Sequence, residues 1–194
     1  MAARDLNLDR PEPGEAPGPA TVHLAPMRRR HLRAVLRIEA QVYPRPWSVG
    51  LFMSELALRS ARAYQVAKVG GTVVGYSGLM FSGDEAHVTT VAVDPAWHRR
   101  KVGTRLLLNM ARLARARQCR VLTLEVRVSN LGAQALYREF GFVPVGIRRN
   151  YYTETNEDAI IMTAEDICSP AYERRLARIE EAVGGLTIVE RSRW

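Results

Sequence analysis

The chain has 194 residues, 47% of them apolar and 25% charged, with a formal net charge of +8. This size and balance fit one globular domain with a sizeable core. No apolar run of about 18 residues and no secretory leader is evident, so we expect no membrane association. Two cysteines exclude a disulfide framework, and we therefore expect a reducing, cytoplasmic compartment.

The first predicted elements alternate between a strand and two helices. Residues 1–20 are rich in Pro, Gly and Glu and predict a disordered tail. A short strand near 22–24 precedes a helix over 28–42, whose apolar residues have helical spacing. The prolines in 43–47 exclude a helix there, and Ser48 is expected to cap a second helix that runs to about Ser60.

The rest of the chain predicts a mixed sheet. Gly70-Gly71 is typical of a hairpin turn, and Gly184-Gly185 of a helix end. The predicted elements are strands over 63–69, 72–81 and 85–93, a helix over 103–118, a strand over 121–128, a helix over 130–140, strands over 142–151 and 158–163, and a helix over 170–183.

This order predicts an α/β fold in one domain over 21–166, followed by a C-terminal helical extension over 167–194. A strand–helix–strand unit in the middle indicates a parallel central pair, while the hairpins indicate antiparallel flanks. We therefore expect a mixed, mostly antiparallel central sheet with helices on both faces. The extra C-terminal helix carries an apolar stripe that fits packing on the domain or docking elsewhere.

Basic residues are concentrated in two clusters. Such clusters suit an anionic partner or a solvated helix face. One cluster comprises Arg28, Arg29, Arg30, Arg33 and Arg37, and the other comprises Arg99, Arg100, Lys101, Arg105, Arg112, Arg115, Arg117 and Arg120.

The segment that follows the strand 85–93 is a candidate phosphate site. A polar, basic turn leads into a helix near Gly103. Helix N-termini present free backbone N–H groups and a partial positive charge, which bind phosphate. An ordinary strand-to-helix connection with surface arginines is the alternative interpretation.

The segment 124–142 holds the candidate catalytic residues. Glu125 lies on the strand face opposite Leu124, Asn130 is expected to cap the next helix, and Tyr137 lies on that helix. A carboxylate and a phenol around one turn could remove a proton from an amine and donate one to a leaving thiolate. The alternatives are an ion pair between Glu125 and Arg127, and a packed aromatic role for Tyr137. The four histidines show no zinc-ligand spacing, so we expect no metal.

Four blocks of sequence resemble the Gcn5-related N-acetyltransferase superfamily, and within it the RimI-type enzymes that acetylate the N-terminal alanine of a small-subunit ribosomal protein. The resemblance covers about residues 20–166. Its most specific parts are LEVRVSN (124–130), ALYREFGF (135–142), IRRNYY (147–152) and EDAIIM (157–162).

The resemblance implies the acyl-CoA N-acyltransferase fold and acetyl-CoA as the donor. Glu125 would be the proton acceptor and Tyr137 the proton donor. The implied cofactor contacts are the strand backbone of Val91, Ala92 and Val93, the pyrophosphate turn of Arg99, Arg100, Lys101, Val102, Gly103 and Thr104, and Asn130.

The pyrophosphate turn departs from the superfamily pattern Q/R-x-x-G-x-G/A. The aligned residues run from His98 to Gly103, and Lys101 stands where the first glycine is expected. A non-glycine residue with positive φ is strained there. The charge of Lys101 could offset the loss of the glycine.

The implied acceptor is a protein N-terminus, that of a ribosomal protein, lying under 43–47 and 150–157. Alternatives are a lysine or small-molecule amine acceptor, and a catalytically weak module that binds a partner or ribosomal RNA. The resemblance also implies an association with tRNA threonylcarbamoylation proteins. Neither membrane binding nor direct nucleic-acid binding is expected.

Overall fold

The computed structural model describes residues 21–190, and the predicted tail over 1–20 lies outside the described residues. The helices and strands are β1 (Val22–Pro26), α1 (Leu32–Val42), α2 (Val49–Ala57), β2 (Arg62–Val69), β3 (Thr72–Ser82), β4 (Glu85–Val93), α3 (Val102–Ala116), β5 (Val121–Arg127), α4 (Leu131–Glu139), β6 (Val143–Tyr152), β7 (Glu157–Ala164), α5 (Pro170–Val183) and β8 (Thr187–Val189).

The strands form one sheet in the order β6-β7-β5-β4-β3-β2-β1-β8. Most neighbours are antiparallel, and β4 and β5, which α3 connects, are parallel. The predicted mixed sheet with a parallel central pair is therefore confirmed. The structure also contains β8, a three-residue strand not predicted from the sequence, which pairs in parallel with β1 at the sheet edge.

Local signals set most of the element boundaries. The Ser48 hydroxyl accepts from the Leu51 N–H, which starts α2, and α2 ends at Ala57, three residues before the predicted end. Gly70 and Gly71 have positive φ in the β2–β3 hairpin, which suits residues without a Cβ.

Helices cover both faces of the sheet, as predicted. Phe52 of α2 and Ile38 of α1 pack against Tyr76 on one face. On the other face Leu107 of α3 and Phe140, which follows α4, share a core with β5 and β7. Leu176 of α5 joins that second core, so the C-terminal helix packs on the domain.

A β-bulge at Thr89 changes the direction of side chains along β4. The pairing with β3 shifts there, since Gly78 pairs with Thr90 and Leu79 with Val88. One extra residue reverses the alternation of faces. Ala86 and Val88 accordingly pack in the core with α3, whereas Ala92 packs in the core with α1.

Candidate active site

A cleft opens where β4 and β5 separate. The two strands pair only from Glu85–Val121 to His87–Thr123, although both run further. Beyond that point the edge of β4 is open. A cleft of about 900 Å³ lies there, lined by residues from β4, β5, α4, the α1–α2 loop and the β6–β7 turn. Of the predicted site residues, Val91, Glu125, Asn130 and Tyr137 line this cleft.

The Glu125 side chain is 10% exposed and makes two ion-pair contacts. Its Oε2 lies 3.0 Å from His87 Nε2, and its Oε1 lies 3.2 Å from Arg148 Nη2. The alternative of a pair with Arg127 is wrong, because Arg127 instead contacts Glu154 and Glu157. Glu125 is thus a carboxylate oriented by neighbours on β4 and β6 and directed at the cleft.

His87 is the partner that the sequence analysis missed. Its Nδ1 lies 2.9 Å from Thr123 Oγ1, so the ring bridges β4 and β5. Burial lowers the pKa of the His87 imidazole below its ordinary value of 6.5, the Arg148 guanidinium acts in the same direction, and Glu125 opposes both. At neutral pH the ring is therefore neutral.

Tyr137 is part of the core and also lines the cleft. Its side chain packs against Phe142 with ring centroids 5.8 Å apart. Among the described residues, none forms a hydrogen bond with its hydroxyl, which leaves this group free to face a ligand. Burial raises the pKa of Tyr137 above its ordinary value of 10, so the phenol retains its proton throughout the neutral range.

The backbone of Val91–Val93 alternates between two directions. The Asp94 N–H donates to Val74 on β3, so Ala92, two residues earlier, also directs its N–H and C=O at β3. Val91 and Val93 turn theirs to the open edge. There the carbonyl of Val91 accepts from the Tyr43 hydroxyl at 3.3 Å, and that of Val93 lies 3.0 Å from His98 Nε2. Val91 and Val93 are the members of the predicted set whose backbone groups point to the open edge of β4.

The turn before α3 has a left-handed backbone at two positions. Arg99 and Lys101 both have φ of 58°, and Lys101 is the N-cap of α3. The missing glycine is thus replaced by a lysine in a conformation that costs about 1–2 kcal/mol for a residue with a Cβ.

This turn leaves donors free at the start of α3. No described residue accepts from the N–H groups of Val102, Gly103 and Thr104. The first backbone hydrogen bond of α3 runs from the Arg105 N–H to the Lys101 carbonyl. Arg100 stacks on Trp97 at 5.0 Å. Free donors and nearby cations suit a phosphate group.

Asn130 is the N-cap of α4, as predicted. Its Oδ1 accepts from the Ala133 N–H at 3.1 Å. Asn130 is also one of the residues that line the cleft.

Aromatic side chains from the α1–α2 loop and from the end of β6 line the cleft. Tyr43 and Trp47 come from the α1–α2 loop, and Tyr151 and Tyr152 from the end of β6. The α1–α2 loop is held by the buried Glu39, whose Oε2 accepts from the Trp47 N–H at 2.8 Å and whose Oε1 accepts from the Tyr76 hydroxyl. Burial raises the pKa of the Glu39 carboxyl.

Arg127 holds the turn on the opposite side. Its guanidinium contacts Glu154 at 2.6 Å and Glu157 at 3.2 Å, and lies 3.8 Å above the Tyr152 ring. These contacts fix the β6–β7 turn beside the cleft. Sequence reasoning could not find this role, because the partners of Arg127 are 27 and 30 residues away.

Among residues 21–190, no group of three His, Cys, Asp or Glu side chains has an arrangement that could hold a metal ion. Within the same residues, no helix is both long and apolar enough to cross a membrane.

Comparison with known proteins assigns the family. The Acetyltransferase (GNAT) family matches residues 32–142. A relative from Mycobacterium tuberculosis, N-alpha-acetyltransferase RimI, is 39% identical over 147 residues, which are 73% of this chain and 90% of the relative.

Solved structures share the fold. The ribosomal-protein-S18-alanine N-acetyltransferase from Escherichia coli superposes with a TM-score of 0.69 and 33% identity, over 75% of this chain and 94% of that one. Naa50 from Arabidopsis thaliana, in complex with the bisubstrate analogue CoA-Ac-MVNAL, has a TM-score of 0.62 and 19% identity, over 74% and 98% of the two chains, which supports the fold alone. The chain belongs to the GNAT family of acetyltransferases, which use acetyl-CoA, and is of the RimI type.

Proposed function

We propose that this acetyltransferase transfers acetyl from acetyl-CoA to the α-amine of a protein N-terminus, and that its substrate is the N-terminal alanine of a small-subunit ribosomal protein. The observation that supports the chemistry is that Glu125 and Tyr137, from β5 and α4, line one cleft. The substrate is inferred from relatives that carry the name of ribosomal protein bS18 alanine N-acetyltransferase. A ribosomal substrate also implies action in the cytoplasm.

Glu125 acts as the proton acceptor in this proposal. An α-amine has a pKa of about 8, so much of it is protonated near neutrality and must lose a proton before it attacks. The Glu125 carboxylate removes that proton directly or through a water molecule. The amine then attacks the carbonyl carbon of the thioester, forming the C–N bond.

Backbone donors and Tyr137 complete the reaction. Charge that develops on the acetyl oxygen is stabilised by N–H groups at the open edge of β4, where Val91 and Val93 point away from β3. When the C–S bond breaks, the Tyr137 hydroxyl donates its proton to the sulfur of coenzyme A, and the second proton lost by the attacking nitrogen returns to Tyr137 through solvent. No covalent acetyl-enzyme is required, so the buried Cys119 has no role.

The start of α3 binds the pyrophosphate of the cofactor in this proposal. Free N–H groups at Val102, Gly103 and Thr104 and the charges of Arg99 and Lys101 supply the site. Asn130 and Val91, both in the cleft lining, contact the part of the cofactor nearest the thioester. The acceptor peptide enters between the segments 43–47 and 150–157.

Intact-mass measurement of peptides incubated with the protein and acetyl-CoA tests the proposal. One peptide begins with a free alanine, and its matched control has a blocked N-terminus and an internal lysine. We expect one acetyl group on the first peptide, located on the α-amine by fragmentation. Acetylation of the blocked peptide would indicate a lysine acceptor, and no acetylation of either would contradict the proposal.

An association with tRNA threonylcarbamoylation proteins stays a prediction of the resemblance, because no contact among the described residues tests it.

A further inference from the structure

The Glu125 carboxylate is held from two sides by groups of different kinds. Arg148, on the edge strand β6, is 54% exposed and reaches the carboxylate from the solvent side. His87, on β4, is 25% exposed and contacts it from within the sheet. The inner partner of the proposed proton acceptor is therefore an imidazole.

The position of the imidazole is set by the sheet. His87 pairs with Thr123 at the last parallel position of β4 and β5, two residues before Glu125. An ionised carboxylate can only accept hydrogen bonds, so the ring donates through Nε2 to Glu125 and accepts at Nδ1 from the Thr123 hydroxyl. Both ring nitrogens are engaged, which fixes the ring plane and the carboxylate that it contacts.

Within residues 21–190, the charged groups that act on the ring are Glu125 on β5 and Arg148 on β6. The same two charges act on the hydroxyl of Tyr151 on β6. The residue opposite His87 on β3 is Met80, which does not titrate. The protonation state of the ring therefore depends on burial, on one anion and on one exposed cation.

We propose that His87 is a positioning residue for acetyl transfer, whose neutral imidazole holds the Glu125 carboxylate towards the acceptor amine and whose protonation stops the reaction at acid pH. This inference rests on the proposed function, because Glu125 must be the group that receives the proton.

The effect of pH follows from the charge on the His87 ring beside Glu125. A neutral ring orients the carboxylate and adds no positive charge. An imidazolium 3.0 Å away would add a second cation beside Arg148, and two opposed cations weaken the affinity of a carboxylate for the proton of the amine. His87 is thus the inner of the two partners of Glu125, and the charge on its ring changes the electrostatic field at the carboxylate.

The activity test compares pH profiles of His87→Gln and the unmodified protein at saturating substrates. Glutamine donates a hydrogen bond but does not titrate, and the ratio of the two kcat values cancels the titration of the peptide amine. We expect the ratio of variant to unmodified kcat to rise at least about threefold between pH 7.5 and 5.0. His87→Leu, which has no donor, should lower kcat about tenfold at pH 7.5, where the ring of the unmodified protein is neutral, and leave the KM for acetyl-CoA unchanged.

The matched control is His23→Gln, at an exposed position on β1, whose ratio to the unmodified protein should not change with pH. A kcat ratio for His87→Gln that does not change with pH would overturn the proposal. A His87→Leu variant in which KM changes and kcat does not would also overturn it. Circular dichroism of each variant verifies that it is folded.

An activity-free test uses the imidazole NMR signals of the labelled protein, with His87 assigned by its loss in His87→Gln. We expect the ring to titrate below pH 6.5, and at still lower pH in Glu125→Gln, since Glu125 raises the pKa of His87. A ring protonated at pH 7, or one that Glu125→Gln leaves unchanged, would contradict the pairing. If no peptide is acetylated while the titration behaves as expected, the proposed function fails and the pairing stands.

Discussion

Single residues in the cleft carry the proposed chemistry, and their substitution gives the most direct test. Glu125→Gln keeps the size of the side chain but removes the base, and Tyr137→Phe removes the proton donor. Each should slow turnover by roughly 10²–10⁴, the range for loss of a general acid or base. Steady-state acetylation of an alanine-starting peptide measures the change. Full activity in both variants would show that the two roles are wrongly assigned.

Two substitutions of Lys101 separate the effect of backbone strain from the effect of side-chain charge. Lys101→Ala keeps a Cβ in the left-handed conformation and removes the charge, whereas Lys101→Gly removes both. We expect Lys101→Gly to be more stable than Lys101→Ala by about 1 kcal/mol in urea unfolding. Acetyl-CoA should bind more weakly to both variants at low salt, because each lacks a cation beside the pyrophosphate. Lys68→Ala, on β2, is the charge control, and equal weakening in that variant would contradict a local effect.

Among the elements, β4 depends on a close contact between β2 and β3 next to its bulge. A Cβ on Gly78 would lie 2.3 Å from the Tyr64 ring and 2.6 Å from Thr89 Oγ1, so both side chains would have to move. Gly78→Ala should therefore destabilise the protein by about 1–3 kcal/mol, as expected for overpacking. In Gly132→Ala, on the exposed side of α4, a Cβ meets nothing within 4 Å. That control should be stabilised by about 0.5–1 kcal/mol, because alanine favours helix. Similar unfolding midpoints for the two variants would contradict this account.

The C-terminal elements are tied to α3 by arginines. The Arg105 side chain is 5% exposed, and its guanidinium donates to the Gly184 carbonyl at 2.5 Å and to the Thr187 hydroxyl. Arg112 makes a more exposed pair with Glu180 at 2.6 Å.

Arg105→Ala should release β8, because the loss of hydrogen bonds to a charged group costs about 1.5–3 kcal/mol. Arg112→Ala should cost less than about 1 kcal/mol. Amide hydrogen exchange of the β8 residues measures the difference, and equal exchange in the two variants would contradict it.

At the scale of the whole molecule, the basic stretch over 99–120 serves two purposes. Arg105, Arg112, Arg115 and Arg117 contact groups of the same chain, among them Glu173 with Arg115 and the Ser60 carbonyl with Arg117. Arg99 and Lys101 remain at the start of α3. Of the two interpretations given for this cluster, an anionic partner is therefore proposed only for the residues at the start of α3.

Stability should decrease below neutral pH. Burial lowers the pKa of His31 and of His87 below 6.5. The unfolded chain therefore binds protons at a pH where the folded chain does not, and stability falls as pH drops through 6.5 towards the folded values. Glu39, whose pKa is raised, acts in the opposite sense and favours the folded state as pH falls.

We expect the urea midpoint to fall between pH 7 and pH 5, and to fall less in the double variant His31→Gln/His87→Gln. The carboxyls of Glu154, Glu157 and Asp158 have lowered pKa values, so their contribution to stability is lost only below about pH 4.5, outside this window. A midpoint that is constant from pH 7 to 5 in the unmodified protein would contradict the burial of the two rings.

The sequence alone determined the structural features that depend on residues close together along the chain. Caps such as Ser48 and Asn130, the glycine hairpin and the apolar spacing are local, and so the elements and their order could be predicted within a few residues. The motif around Glu125 and Tyr137 was also visible, since it lies in one short segment.

Only the tertiary structure decided which distant groups meet. His87 and Arg148 reach Glu125 from other strands, β8 joins the sheet through backbone bonds that lack a side-chain pattern, and Arg105 finds its acceptors 79 and 82 residues away. Such contacts depend on strand register and on where β4 and β5 separate, and neither is encoded in any single stretch of the chain.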